Sequence, residues 1–120
     1  MGLVSVVDDD ESVRESLPDL LKELGFDACA FSSARDFLSS ECMNRTECLI
    51  LDIAMPGMTG FDLQRELQLQ GREIPIIFIT GQTDAAIHTR ALERGAVACL
   101  LKPFSDTALL AAVEAALRTG

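Results

Sequence analysis

The chain has no tryptophan and no tyrosine, a single histidine, His88, and four cysteines that form no C-x-x-C pair. With no histidine near those cysteines at ligand spacing, a zinc site is excluded, and Cys29, Cys42, Cys48 and Cys99 are expected to be reduced thiols packed in or near a core. No run of about 18 or more apolar residues is present, so no segment reads as a transmembrane helix. The N-terminus, MGLVSVVDDD, meets aspartates too early for a signal peptide, and a cytoplasmic location is expected. Also missing is the glycine-rich loop that cradles a nucleotide, so a phosphoryl group handled here must come from something other than ATP bound to this domain. Basic residues are scarce: 10 against 19 acidic ones, a net charge of −9. Such a domain is repelled by nucleic acid and by anionic membranes, and if it controls DNA, another domain must touch the DNA.

What is present is a chain of 120 residues, 48% hydrophobic and 24% charged, which suits one compact domain burying roughly two-thirds of its unfolded surface. Five short β-rich runs alternate with helical patterns: LVSVV (3 to 7), DACAF (27 to 31), CLILD (48 to 52), PIIFIT (75 to 80) and AVACLLK (96 to 102). Three of them are apolar on both alternating faces, as in parallel strands covered by helices on each side. In the first intervening helix Val13, Leu17, Leu20, Leu21 and Leu24 recur at helical spacing, with Ser12 as candidate N-cap, Gly25 to end it, and Pro18 inside to kink or loosen it. Ser33 opens a second helix, Thr59 or Gly60 a third reaching Gly71, Asp84 a fourth running to Arg94, and Ser105 a fifth striped by Leu109, Leu110, Val113 and Leu117. The order is (βα)5, one α/β domain over 1 to 120. Right-handed crossovers with such short connections predict an open, doubly wound, flavodoxin-like parallel sheet in strand order 2-1-3-4-5.

Ligands in that architecture bind outside the carboxyl ends of the strands, beside the switch between strands 1 and 3. Asp8 and Asp9 from strand 1, Asp52 from strand 3, Thr80 from strand 4 and Lys102 from strand 5 fall on that edge. Two carboxylates ~4 Å apart repel by roughly 4 kcal/mol at an effective dielectric of about 20, so the crowding needs a cation, a proton or a helix N-terminus to relieve it. Three carboxylates without a histidine or cysteine partner are hard oxygen ligands suited to Mg2+. A lysine ammonium and a threonine hydroxyl beside them can hold phosphoryl oxygens, which makes this a site for phosphoryl transfer with Asp52 as the candidate nucleophile.

The segments VVDDDESVRESL, LILDIAMPGMTG, FITG and LLKPF, in that order, resemble the receiver domain of two-component response regulators, and within that family receivers that precede a helix-turn-helix output domain. The resemblance implies that Asp8 and Asp9 form an acidic pocket, with Asp9 the more direct Mg2+ ligand, and that the backbone carbonyl of Ala54 completes the protein ligands. It implies further that Asp52 accepts phosphate from a phosphohistidine on a sensor histidine kinase, that Thr80 and Lys102 bind the phosphoryl oxygens, that Gly81 keeps the approach open, and that the bond from Lys102 to Pro103 is cis. The partners it implies are the kinase, a DNA-binding output domain regulating transcription, and a second copy pairing through helices 4 and 5 after phosphorylation. The sequence departs from the family at two positions: Cys99 stands where receivers usually carry an aromatic, three residues before the lysine, and Ala54, two residues after Asp52, is smaller than the polar or bulky residues often found there.

Other residues have plainer readings. Asp10 is an N-cap or a solvated loop charge, His88 has no assigned role, and Met55 and Met58 pack a loop that Pro56, Gly57 and Gly60 mark. An aspartate-nucleophile phosphatase of the haloacid-dehalogenase type needs an acidic residue two positions after the nucleophile, and that position is Ala54. A signalling module, rather than an enzyme, is the expectation.

Overall fold

A computed structural model describes residues 2–119; Met1 and Gly120, the ends of the expected domain, lie outside the described residues. Five strands, β1 (Leu3–Val7), β2 (Asp27–Phe31), β3 (Thr46–Asp52), β4 (Ile76–Thr80) and β5 (Ala98–Leu101), alternate with α1 (Glu11–Glu23), α2 (Ala34–Leu38), α3 (Gly60–Leu69), α4 (Ala85–Glu93) and α5 (Asp106–Thr119). All strand pairs are parallel and the order is β2-β1-β3-β4-β5, as the sequence predicts. β3 and β4 are buried along their whole length, apart from Glu47, because both faces of the sheet are covered. On one face Val4, Val6, Ile50, Ile77 and Ile79 pack against Leu17 and Leu21 of α1 and Leu109 and Val113 of α5. On the other, Val7, Leu49, Leu51 and Phe78 pack against Phe37 of α2, Phe61, Leu63 and Leu67 of α3, and Ala91 of α4. The period-two pattern of each central strand thus feeds two cores, one per face.

Local chemistry sets the helix ends. Ser12 does not cap α1; Asp10 does, in an extended conformation that lets its Oδ1 accept from the backbone N of Ser12 at 2.9 Å and from its hydroxyl at 2.8 Å. An aspartate two residues upstream reaches the first free N–H, and Ser12 then lies inside the helix rather than before it. Pro18, expected to kink or loosen α1, sits within one continuous helix, where burial of Leu17 and Leu21 on either side holds the turn that lacks a proline N–H. Thr59 caps α3 through a reciprocal capping box with Asp62, Ser33 caps α2, Asp84 caps α4, and Ser105 accepts from the backbone N of Ala108 in α5. Gly25 follows α1 with φ 97° and Gly95 follows α4 with φ 91°, left-handed values that end a helix without a Cβ clash.

Element lengths differ from the sequence reading at several places; β4, starting at Ile76, and α4, ending at Glu93, differ by one residue each. β3 begins two residues earlier, at Thr46, because the Thr46 hydroxyl is satisfied inside, 2.7 Å from the Ser5 hydroxyl. β5 is confined to Ala98–Leu101, and α3 stops at Leu69, ahead of Gly71. A 3-10 turn over Glu41–Arg45, not anticipated, carries the chain from α2 into β3. α3 and α4 are tied by Arg94, whose Nε donates to Gln64 Oε1 at 2.9 Å and whose Nη2 donates to the Phe61 carbonyl, while Gln64 Nε2 donates back to the Arg94 carbonyl. Arg90 and Arg94 both lie over the Phe61 ring, 4.7 and 4.8 Å from its centroid.

Gly60 is required for space rather than for turn geometry. Its N–H donates to the Ile53 carbonyl at 2.9 Å, so the start of α3 lies against the end of β3. A Cβ here would collide with the Asp52 carbonyl oxygen and stand 3.0 Å from Ile53 Cα. Gly60→Ala is expected to lower stability by about 1–3 kcal/mol, the usual range for overpacking a buried site, and to displace Asp52. Chemical denaturation with amide chemical shifts for residues 52 and 53 checks both; a variant as stable as the parent with unmoved shifts contradicts the close approach.

Candidate functional site

The carboxyl ends of β1, β3, β4 and β5 bring the expected side chains together. Asp8 follows the last residue of β1, anchored by its own N–H, which donates to the Phe31 carbonyl at 3.1 Å, and by Arg14 Nη1, which donates to its carbonyl at 3.1 Å. Asp52 ends β3, Thr80 ends β4, and Lys102 follows β5 with its N–H donating to the Thr80 carbonyl at 2.8 Å. The Lys102–Pro103 bond is cis. Asp8, Asp52 and Thr80 are buried, whereas Asp9 is exposed at the rim. Ala54 lies exposed in the loop beyond β3, and a Cβ on Gly81 would meet nothing within 4 Å.

Asp8, Asp9 and Asp52 each offer a carboxylate oxygen, and the three oxygens lie within 4.8 Å of one another. Lys102 Nζ is 2.7 Å from Asp8 Oδ2 and 3.7 Å from Asp52 Oδ1. Asp8 Oδ1 accepts the backbone N–H of Asp10 at 2.9 Å. Its Oδ2 is buried and accepts no well-directed hydrogen bond, being held by the charge of the ammonium. Three carboxylates therefore face one cation. Lys102 is committed first to Asp8, which leaves Asp52 the less compensated of the two buried carboxylates.

The titration behaviour follows from this arrangement. Burial pushes the Asp52 carboxyl up to about 7, the Asp8 charge adds to the rise and Asp9 adds less, with Lys102 opposing them. Burial pulls the Lys102 ammonium down, but its close contact with the Asp8 carboxylate and the charges of Asp52 and Asp8 outweigh that, and the net direction is up. Asp10, by contrast, is an exposed cap held below the carboxylate range by its hydrogen bonds from Ser12. The donor set fits a hard divalent cation: all ligand atoms are oxygens, the buried Asp8 carboxylate carries an oxygen with no directional donor, and two negative charges remain once Lys102 is counted against the three carboxylates.

Thr80 Oγ1 accepts from the backbone N of Gln82 at 3.1 Å, which leaves the hydroxyl hydrogen available to donate. His88 Nε2 lies 3.2 Å from the carbonyl of the same Gln82, so α4 is tied to the loop that leaves Thr80. Two residues that support this site were not singled out from the sequence for it. Arg14 looks in sequence like any surface cation of α1, and only its spacing of six residues from Asp8, one turn into the helix, hints at the contact. Gly60 reads as a loop glycine until β3 is placed behind it. Cys99 lies half-buried on β5, paired in register with Phe78 and packed against the core of α2, α3 and α4.

Comparison with known proteins agrees with this fold. The family model described as "Response regulator receiver domain" matches residues 4–114. Nodulation protein W of Bradyrhizobium diazoefficiens is 48% identical over 115 residues, covering 96% of this chain and 51% of that protein. Transcriptional regulatory protein FixJ of Azorhizobium caulinodans is 40% identical over 114 residues, covering 95% and 54%. Among solved structures, the crystal structure of FixJ-N superposes with a TM-score of 0.89 at 38% identity, covering 98% of this chain and 94% of that one. The chain spans about half the length of the curated relatives it matches.

With metal removed by chelation, stability should fall as pH rises. The unfolded Asp52 ionises near 3.8 and the folded one near 7, so between those values the native state holds the extra proton, and stability decreases by at most about 1.4 kcal/mol per pH unit from this group. Asp52→Asn mimics the protonated form and should flatten that dependence. Thermal melts of both proteins from acid to neutral pH check it: the gap between them should widen with pH in favour of the variant, and parallel curves contradict the raised ionisation.

Proposed function

The chain belongs to the response regulator receiver family, signalling modules of two-component systems, and on that premise we propose that it is switched by phosphorylation of Asp52 from a phosphohistidine on a sensor histidine kinase. The observation that carries this reading is the buried carboxylate of Asp52, 3.7 Å from the Lys102 ammonium and without a cation of its own. An Asp52 carboxylate oxygen forms a bond to phosphorus as the phosphorus–nitrogen bond breaks, and the leaving imidazole keeps that electron pair. Lys102 neutralises charge on the acceptor and on the transferred oxygens, and the Thr80 hydroxyl donates to one of them. Asp8 and Arg14 act on position: Asp8 holds the ammonium at the edge, and Arg14 fixes the Asp8 backbone.

Asp8, Asp9, Asp52 and the Ala54 carbonyl are the proposed ligands of Mg2+, which when bound offsets the negative charge gathered on the carboxylates and the phosphoryl oxygens. Asp9, exposed at the rim, is the carboxylate that a hydrated ion would meet first. Ala54 places no acid two residues beyond Asp52, so nothing at that position can protonate or activate a second reactant, which supports a switch over a phosphatase enzyme.

The remaining proposals concern the wider protein. FixJ is called a transcriptional regulatory protein, which supports reading residues 1 to 120 as one receiver domain of a longer regulator whose output domain binds DNA. With a net charge of −9 this domain leaves DNA contact to that partner. No described helix is long and apolar enough to cross a membrane, and a cytoplasmic site of action is proposed because a sensor kinase would phosphorylate it there. Pairing of two phosphorylated copies through α4, β5 and α5 is proposed on the exposed Leu92 and Leu101.

Acetyl phosphate with Mg2+ should add one phosphoryl group to the chain at Asp52, and Asp52→Asn should abolish the addition. Intact-mass spectrometry decides it, and equal phosphorylation of both proteins would overturn the assignment. Asp9→Asn should weaken the rise in melting temperature with Mg2+ concentration, since binding to the native state alone must stabilise it progressively; an unchanged Mg2+ response places the ion elsewhere.

A further inference from the structure

On the face covered by α2, away from the acidic edge, two thiols meet. Cys29 lies on the outer strand β2 and Cys42 in the 3-10 turn between α2 and β3, and their sulfurs are 2.7 Å apart. That is less than an ångström beyond the covalent S–S length of about 2.05 Å. Both side chains are half-buried, unlike Cys48, which is fully enclosed in the core. The backbones that carry them are held in place from both sides. Cys29 pairs in register with Ser5 of β1, the Ser5 hydroxyl donates to Thr46 Oγ1 at 2.7 Å, and the Thr46 hydroxyl donates to the Cys42 carbonyl at 2.7 Å. The approach of the sulfurs is thus built into the sheet and the turn, not left to two free side chains.

We propose that Cys29 and Cys42 are a thiol–disulfide site, oxidised reversibly to an intrachain bridge by a low-molecular-weight disulfide of the glutathione type. The two sulfurs are not equivalent. Arg45 Nη2 donates to Cys42 Sγ at 3.8 Å, whereas burial, and then the hydrogen bond with Cys42, push the Cys29 thiol up to about 11. Cys42, beside the cation, makes the first attack. Its sulfur bonds to one sulfur of the oxidant, the oxidant's S–S bond breaks, and one thiolate leaves and takes up the proton lost from Cys42. Cys29 then loses its proton to solvent and attacks Cys42 Sγ, expelling the second thiolate, which is protonated in turn. The protein loses two hydrogens, its two thiols are oxidised, and one disulfide is reduced to two thiols.

The bridge closes the segment from Cys29 to Cys42, which contains α2 and Phe31. Phe31 stacks edge-on against Phe37 of α2, with centroids 5.5 Å apart, and its carbonyl accepts the N–H of Asp8. Oxidation therefore staples the outer strand and the shortest helix to the part of the sheet on which the acidic site rests.

The test treats the native chain with oxidised glutathione and quenches in acid, followed by intact mass, peptide mapping and alkylation. The expected result is a loss of two hydrogens in a peptide pair joining Cys29 to Cys42, reversed by dithiothreitol, with Cys48 unlabelled until the protein is unfolded. Cys29→Ser and Cys42→Ser should each abolish that loss, and Cys99→Ser should keep it. Slower hydrogen exchange at residues 34 to 38 in the oxidised protein should accompany it. A protein that keeps all four thiols, forms only lasting glutathione adducts, or bridges through Cys48 or Cys99 overturns the proposal.

Discussion

The Lys102–Asp8 ion pair, 2.7 Å long, joins chain segments that follow β5 and β1, with the ends of β3 and β4 lying between them in the sheet. Neighbouring parallel strands are about 4.8 Å apart, so the pair forms only because the lysine's long stem reaches over Asp52 and Thr80. Everything at the carboxyl edge is arranged around that reach. It gives the ammonium first to Asp8, and it leaves Asp52, 3.7 Å from the same ammonium, as the less compensated of the two buried carboxylates. With three carboxylates gathered around one ammonium, the compensation of charge at this edge is incomplete.

That incompleteness opposes folding, and the two cores offset it. β3, which carries Asp52, has Cys48, Leu49, Ile50 and Leu51 fully buried, with each face packed on a separate layer of helices. A strand held so firmly can carry a carboxylate at its end against burial and repulsion. The end of the strand is also fixed from behind. Gly60 lets the first turn of α3 lie on the Asp52 and Ile53 backbone, and the Thr59–Asp62 capping box holds that turn closed. Asp52 thus has backbone contact behind it and open charge in front.

The opposite side of the site is held less tightly. Thr80 leads into a loop held by a few hydrogen bonds: one from Gln82 to the Thr80 hydroxyl, one between His88 and the Gln82 carbonyl, and the Asp84 cap of α4. α4 beyond it buries a single residue, Ala91, and is tied to α3 mainly through the paired Gln64 and Arg94 and the arginines over Phe61. On the proposed function, a phosphoryl group drawing on the Thr80 hydroxyl would act where few apolar contacts resist. Such an element suits a two-state response to a local change of charge.

Fold and site were legible in the sequence to different depths. Alternation of short apolar runs with helical stripes determined a (βα)5 parallel sheet, because strands covered on both faces must be apolar throughout, and their right-handed crossovers leave few topologies. The strand ends then placed Asp8, Asp9, Asp52, Thr80 and Lys102 on one edge without any distance being known. Local capping was only partly legible: Asp10 and Ser12 are both good caps, and which one serves depends on the angle at which β1 delivers the chain. What the tertiary structure alone decided were relations between residues far apart in sequence. Arg14 on the Asp8 backbone, Gly60 against Asp52, Gln64 with Arg94, and Cys29 beside Cys42 leave no periodic trace. The choice of Asp8 over Asp52 as the partner of Lys102 belongs with them, since ion pairing falls off with distance and burial, which the order of residues along a chain does not encode.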